Sequence, residues 1–145
     1  MRIKYRTYVR RGAEEFGKMP ILHVLLRHGK ETVNLDCLVD SGAGECVFNI
    51  DIADALNLDL SSAPTKYYEA VGGSTLIARI HPIKLQIVGF NEEWITINAG
   101  FISDDEIPLL GHSGFFEHYE ITFRSYRNQF EIGKKRIVRH PSPNP

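Results

Sequence analysis

Cys37-Leu38-Val39-Asp40-Ser41-Gly42-Ala43 sets a carboxylate on a tight turn at the end of an apolar strand. Asp and Ser hydrogen-bond local backbone and Gly accepts backbone angles closed to other residues, so an ordinary turn is one reading. The surrounding order favours another, in which the carboxylate is presented for chemistry. Val47-Phe48 resumes a strand, Gly72-Gly73 marks a hairpin tip, and Ile107-Pro108-Leu109-Leu110-Gly111 supplies a second apolar strand ending in glycine. Asp-Ser-Gly occurs once, and no Asp-Thr-Gly accompanies it.

The composition bounds the answer. At 145 residues, with 43% apolar and 24% charged side chains, the chain suits one globular domain with a real core. We expect a single domain over 1–138 and a loose, proline-rich tail over 139–145. Wholly apolar runs reach only four or five residues, too short to span a bilayer. Met1-Arg2-Ile3-Lys4-Tyr5-Arg6 has cations with no apolar segment behind them, unlike a signal peptide, and a cytoplasmic location is expected. Cys37 and Cys46 match no zinc spacing, and in that compartment they read as buried free thiols. His112 and His118, six apart, do not share a helix face, so no metal and no cofactor is expected.

Charge is unevenly spread. Residues 1–11 and 133–145 hold nine of the 17 cations and no acid, while the middle carries all 18 acids. Arg2, Lys4 and Arg6 alternate, as along one face of a strand. A solvated outer strand and tail explain this pattern. A basic patch for nucleic acid is the other reading, and without an aromatic stacking motif nucleic-acid binding is not expected.

Turn signals at short intervals argue for an all-β fold. Strands are expected at 2–9, 18–27, 32–39, 46–49, 65–71, 74–88, 92–101, 106–110, 120–125 and 129–132. Hairpin turns fall at 28–30, 89–91 and 125–128. One short helix is expected over 49–58, capped by Asn49 or Asp51, with Ile52, Ala55 and Leu56 on one face. A second helical turn is expected after Gly111, capped by Ser113 and presenting Phe115, Phe116 and Tyr119 inward.

Over roughly residues 20–132, Asp40-Ser41-Gly42 followed by Leu109-Leu110-Gly111 resembles the retropepsin-like aspartic proteases. The resemblance implies a closed, barrel-like all-β fold with one or two short helices and a flap hairpin. It makes Asp40 the catalytic carboxylate, Ser41 the residue that braces the active-site turn, and Gly42 a point of close substrate approach. Ala43 and Gly44, with Val71, Gly72, Gly73 and Ser74 at the flap tip, would contact an extended peptide. With one such aspartate per chain, the resemblance implies a homodimeric endopeptidase whose two copies of Asp40 share a water. A non-catalytic dimerisation or peptide-binding module of the same fold is the alternative. Two departures stand out. Gly44 replaces an aspartate of the retroviral pattern, and His112-Ser113 replaces its Arg-Asn or Arg-Asp. The retroviral aspartate and arginine pair with each other, so their loss is mutual and leaves no unpaired charge.

Overall fold

Alternation in the sequence becomes strands whose inward faces meet. A computed structural model describes residues 1–9, 15–69, 72–103, 107–135 and 143. In chain order these form β1 (Arg2–Lys4), β2 (Arg6–Val9), β3 (Glu15–Met19), β4 (Ile21–His28), β5 (Glu31–Val39), β6 (Val47–Asn49), α1 (Ile50–Ala55) and β7 (Thr65–Glu69). There follow β8 (Thr75–Ile87), β9 (Ile95–Ile102), β10 (Leu109–Leu110), β11 (Tyr119–Arg124), a 3₁₀ turn (Ser125–Arg127) and β12 (Gln129–Lys134).

Seven strands make one sheet in the order β4-β5-β10-β6-β9-β8-β7, and an added β4–β8 pairing closes it on itself. Closure is possible because β8 is long. Its first part pairs with β7, its middle with β9 and its end with both β9 and β4. The fold is therefore all-β and barrel-like. Leu22, Val24, Leu26, Leu85, Ile87, Ile97, Phe101 and Leu110 are all buried in one cluster.

β1, β12 and β11 form a separate three-stranded sheet that brings the two ends of the chain together. It contributes Phe130 and Ile132 to the same cluster, so it completes the core. The remaining pair, β2 and β3, is a two-stranded hairpin.

Two expected strands are each split. The stretch 2–9 breaks at Tyr5, whose N–H donates to the Asn128 carbonyl while the chain passes from β12 to β3. The stretch 18–27 breaks at Pro20, which has no N–H to donate as the chain changes partner from β2 to β5. The first helix forms as expected. Asn49 rather than Asp51 is the cap, its side chain accepting from the Asp51 N–H at 2.9 Å. It ends where Asn57 takes a left-handed φ of 55°, with Leu58 N–H bonded to Ala53 O and Asn57 N–H to Asp54 O. That is a Schellman end built on asparagine.

The second expected helix does not form. Gly114 has φ 99°, outside the helical range, and a Cβ there would lie 3.1 Å from Ile97 Cβ. Ser113 does not cap; the Gly114 N–H is taken by the Glu117 carboxylate. Phe115 and Tyr119 are nonetheless buried, as expected, while Phe116 is only half-buried. The tail at 139–145 lies outside the described residues apart from Pro143.

Phe130 tests whether the end sheet belongs to the core. It is fully buried, between Tyr5 at 6.1 Å and Phe123 at 6.4 Å between ring centres. Phe130→Ala should cost about 3–5 kcal/mol, with the whole protein still unfolding in one denaturant transition. An early, separate transition of the end sheet would show that it stands apart.

Candidate active site

The Asp40 turn is built by two segments far apart in sequence. β5 runs into the turn and β6 leaves it. The two-residue strand β10 fills the gap between them, parallel to β5 and antiparallel to β6. Asp40 N–H donates to Leu110 O at 3.0 Å, which ties the start of the turn to β10. Beyond β10 the chain continues along the turn. His112 N–H donates to Ala43 O at 3.0 Å and Ser113 N–H to Gly44 O at 2.8 Å. Gly111 lies so close that a Cβ on it would sit 2.3 Å from Glu45 O and 2.7 Å from Ala43 O. Only a residue without a side chain fits there.

Within the turn, Asp40 Oδ1 accepts from the Gly42 N–H at 2.8 Å, and Ala43 N–H closes on Asp40 O at 3.2 Å. A carboxylate that accepts a backbone N–H is held in one orientation. Asp40 is half-buried, while Ser41, Gly42 and Gly44 are exposed and Ala43 half-buried. On one side Asp40, Gly42, Ala43 and Gly44 line a cleft of about 580 Å³, whose far wall is Tyr68, Glu69 and Leu76 of the β7–β8 hairpin. On the other, Asp40 and Ser41 meet an open recess of about 450 Å³ that includes Tyr5, Leu38 and Phe123.

The turn residues are thus brought together with the hairpin wall, but the hairpin tip is not among the cleft's lining. Gly72 and Gly73 have φ of 103° and 86°, angles that a side chain would strain, and with Ser74 they are exposed. Val71 lies outside the described residues.

Glu45 and Lys66 matter here and were not singled out from the sequence, and Tyr68 was expected only as part of an arm of the flap hairpin. The Glu45 carboxylate is only 17% exposed and takes hydrogen bonds from Lys66 Nζ and Tyr68 OH, joining the Asp40 turn to β7. Burial pushes the Tyr68 hydroxyl up from its ordinary value, so it stays a donor at neutral pH. Lys66 and Tyr68 alternate on β7 and so face the same side, a signal present in the sequence but meaningless until Glu45 is placed opposite.

The thiols are poor nucleophiles. Burial, followed by the neighbouring Cys46, pushes Cys37 well up, and burial pushes Cys46 up to about 11. At neutral pH both stay protonated. Among the described residues no three His, Cys, Asp or Glu side chains cluster to hold a metal, and no helix is long and apolar enough to cross a membrane.

No protein-family model matches the sequence, and no curated protein matches it. Solved structures do. The EIAV protease complexed with the inhibitor HBY-793 superposes with a TM-score of 0.53 at 20% identity, over 66% of this chain and 83% of that one. A retropepsin-like aspartic protease from Rickettsia conorii gives 0.57 at 19% identity, over 77% and 88%. Two proteases of separate origin sharing this architecture define it: the chain has the retropepsin fold.

Gly111→Ala should destabilise the protein by about 3 kcal/mol in denaturant unfolding, because the contacting atoms are backbone and cannot swing aside. A near-neutral result would mean the turn and the 111–113 segment are free to separate. Neither Cys37 nor Cys46 should react with a thiol reagent at pH 8 in the native protein, and both should react in denaturant. Rapid native labelling of either would contradict its burial.

Proposed function

We propose that the protein is a homodimeric aspartic endopeptidase in which Asp40 from each of two copies activates one water. The observation that carries this reading is the held carboxylate. Asp40 sits on a turn fixed by backbone hydrogen bonds, with its Oδ1 oriented by Gly42 N–H, at the edge of a cleft walled by a hairpin. The retropepsin fold supports it.

Peptide hydrolysis needs a base for the water and an acid for the carbonyl oxygen and leaving nitrogen. Two carboxylates about 3 Å apart cannot both ionise and so share one proton, a pairing for which aspartic proteases are the reference case. The ionised member takes the water's proton and the protonated one hydrogen-bonds the carbonyl oxygen. One chain supplies one such aspartate, and a two-fold axis through the turn supplies its mate.

In this reading Ser41 braces the two turns beneath the dyad, and Gly42, Ala43 and Gly44 run beside an extended peptide. The β7–β8 hairpin is the flap, with Gly72, Gly73 and Ser74 at its tip. Positive φ at the two glycines keeps the tip free of bulk, and its N–H groups would meet substrate carbonyls.

Asp40→Asn should fold and dimerise but lose peptidase activity. When wild-type and mutant subunits exchange freely in equal amounts, about a quarter of the activity of an all-wild-type pool should remain, because only wild-type pairs work. Retention of about half would mean that each subunit acts alone. A folded, dimeric wild type with no activity on any unfolded protein between pH 4 and 8 would favour a binding module instead.

A further inference from the structure

Asp40 is held by one peptide group, and that group is gripped from its other end. The Gly42 N–H donates to Asp40 Oδ1 at 2.8 Å. The carbonyl of the same peptide, Ser41 O, lies 2.6 Å from His112 Nε2. A carbonyl only accepts, so Nε2 carries the hydrogen and donates. The His112 ring is itself fixed: it stacks on Phe116 at 4.9 Å between centres and 26° between planes, and its backbone N–H is bonded to Ala43 O.

We propose that His112 is a positioning residue that acts on Asp40 through the Ser41–Gly42 peptide, fixing the turn and strengthening the hydrogen bond by which the Gly42 N–H orients Asp40 Oδ1. A donor at the oxygen of an amide draws charge from its nitrogen, which makes the N–H a better donor; linked hydrogen bonds reinforce one another by roughly 10–30% each. An imidazolium donates more strongly than a neutral ring. As His112 gains a proton, the Gly42 N–H therefore becomes a better donor to Asp40 Oδ1.

Other charges face the same turn. Glu45 and Glu69 line the cleft with Asp40 and Tyr68, and Lys66 sits on Glu45. Tyr5 lines the recess behind Asp40 and Ser41. Glu117 and His118 lie on the segment carrying His112, each engaged at Gly114. None of these reaches the Ser41–Gly42 peptide by a hydrogen bond seen among the described residues, so His112 is distinguished by its contact rather than by its charge.

The inference rests on the proposed function only in its kinetic consequence. Two variants separate the roles of the ring: His112→Phe keeps the stack on Phe116 and removes the donor, and His112→Gln supplies an amide N–H near the place of Nε2. Proton NMR should show the Gly42 amide proton shifted upfield in H112F and restored in H112Q. In the peptidase assay kcat/KM should fall in H112F and recover in H112Q. In the unaltered protein the Ser41 carbonyl carbon and the Gly42 amide proton should titrate along with the His112 ring, a test that needs no variant to fold. A Gly42 amide proton unmoved in folded H112F, or one deaf to His112 titration in the unaltered protein, would overturn the proposal. Absence of peptidase activity in the wild type would instead strike at the proposed function and leave the NMR result to decide this one.

Discussion

A carbonyl-lined gap with no room for a Cβ governs this structure. The backbone at Gly111 passes so near the carbonyls of Ala43 and Glu45 that the two segments fit only because residue 111 has no side chain. That closeness lets His112 and Ser113 donate to the next two carbonyls, Ala43 and Gly44, and it lets Leu110 accept from Asp40. The Asp40 turn is exposed in part and has few side chains of its own to pack. Its geometry therefore comes from backbone hydrogen bonds made by a segment that is itself anchored in the barrel through Leu110.

Of the two other acids that line the cleft of Asp40, Glu45 and Glu69, Glu45 is occupied by Lys66 and Tyr68 from the facing hairpin. A mostly buried carboxylate with two donors loses far more when one is removed than an exposed pair would, so this contact fixes how the hairpin wall meets the turn. The two segments are joined by backbone, His112 N–H to Ala43 O and Ser113 N–H to Gly44 O, and by the His112 ring on Ser41 O.

Much of this was legible in the sequence. The hydrophobic alternation of Glu31–Val39 and Thr75–Ile87 located their strands, and the Asp40 and Leu110 segments pointed to the fold. What was hidden depended on tertiary partners. Tyr5 and Pro20 break their strands because the chain changes sheets there, which local propensity does not record. The helical pattern after Gly111 fails at Gly114, whose φ of 99° lies outside the helical range at a place where a Cβ would press on Ile97 of another strand. Glu45, Lys66 and Tyr68 were unremarkable as separate residues and acquire meaning only once β7 is folded over the turn. His112 was noticed as a departure, but its contact with Ser41 needed coordinates.

The arrangement also orders events in time. Asp40 has its motif as soon as residue 43 is made, yet the turn is held by residues 110–113, with nearly half the chain as the intervening loop. Closing so long a loop must precede the short hydrogen bonds that reward it, so this geometry is among the slower features to form. A chain interrupted before β10 would carry the aspartate, the first helix and the hairpin without a formed turn. The turn that holds the carboxylate is thus completed only after the barrel around it exists.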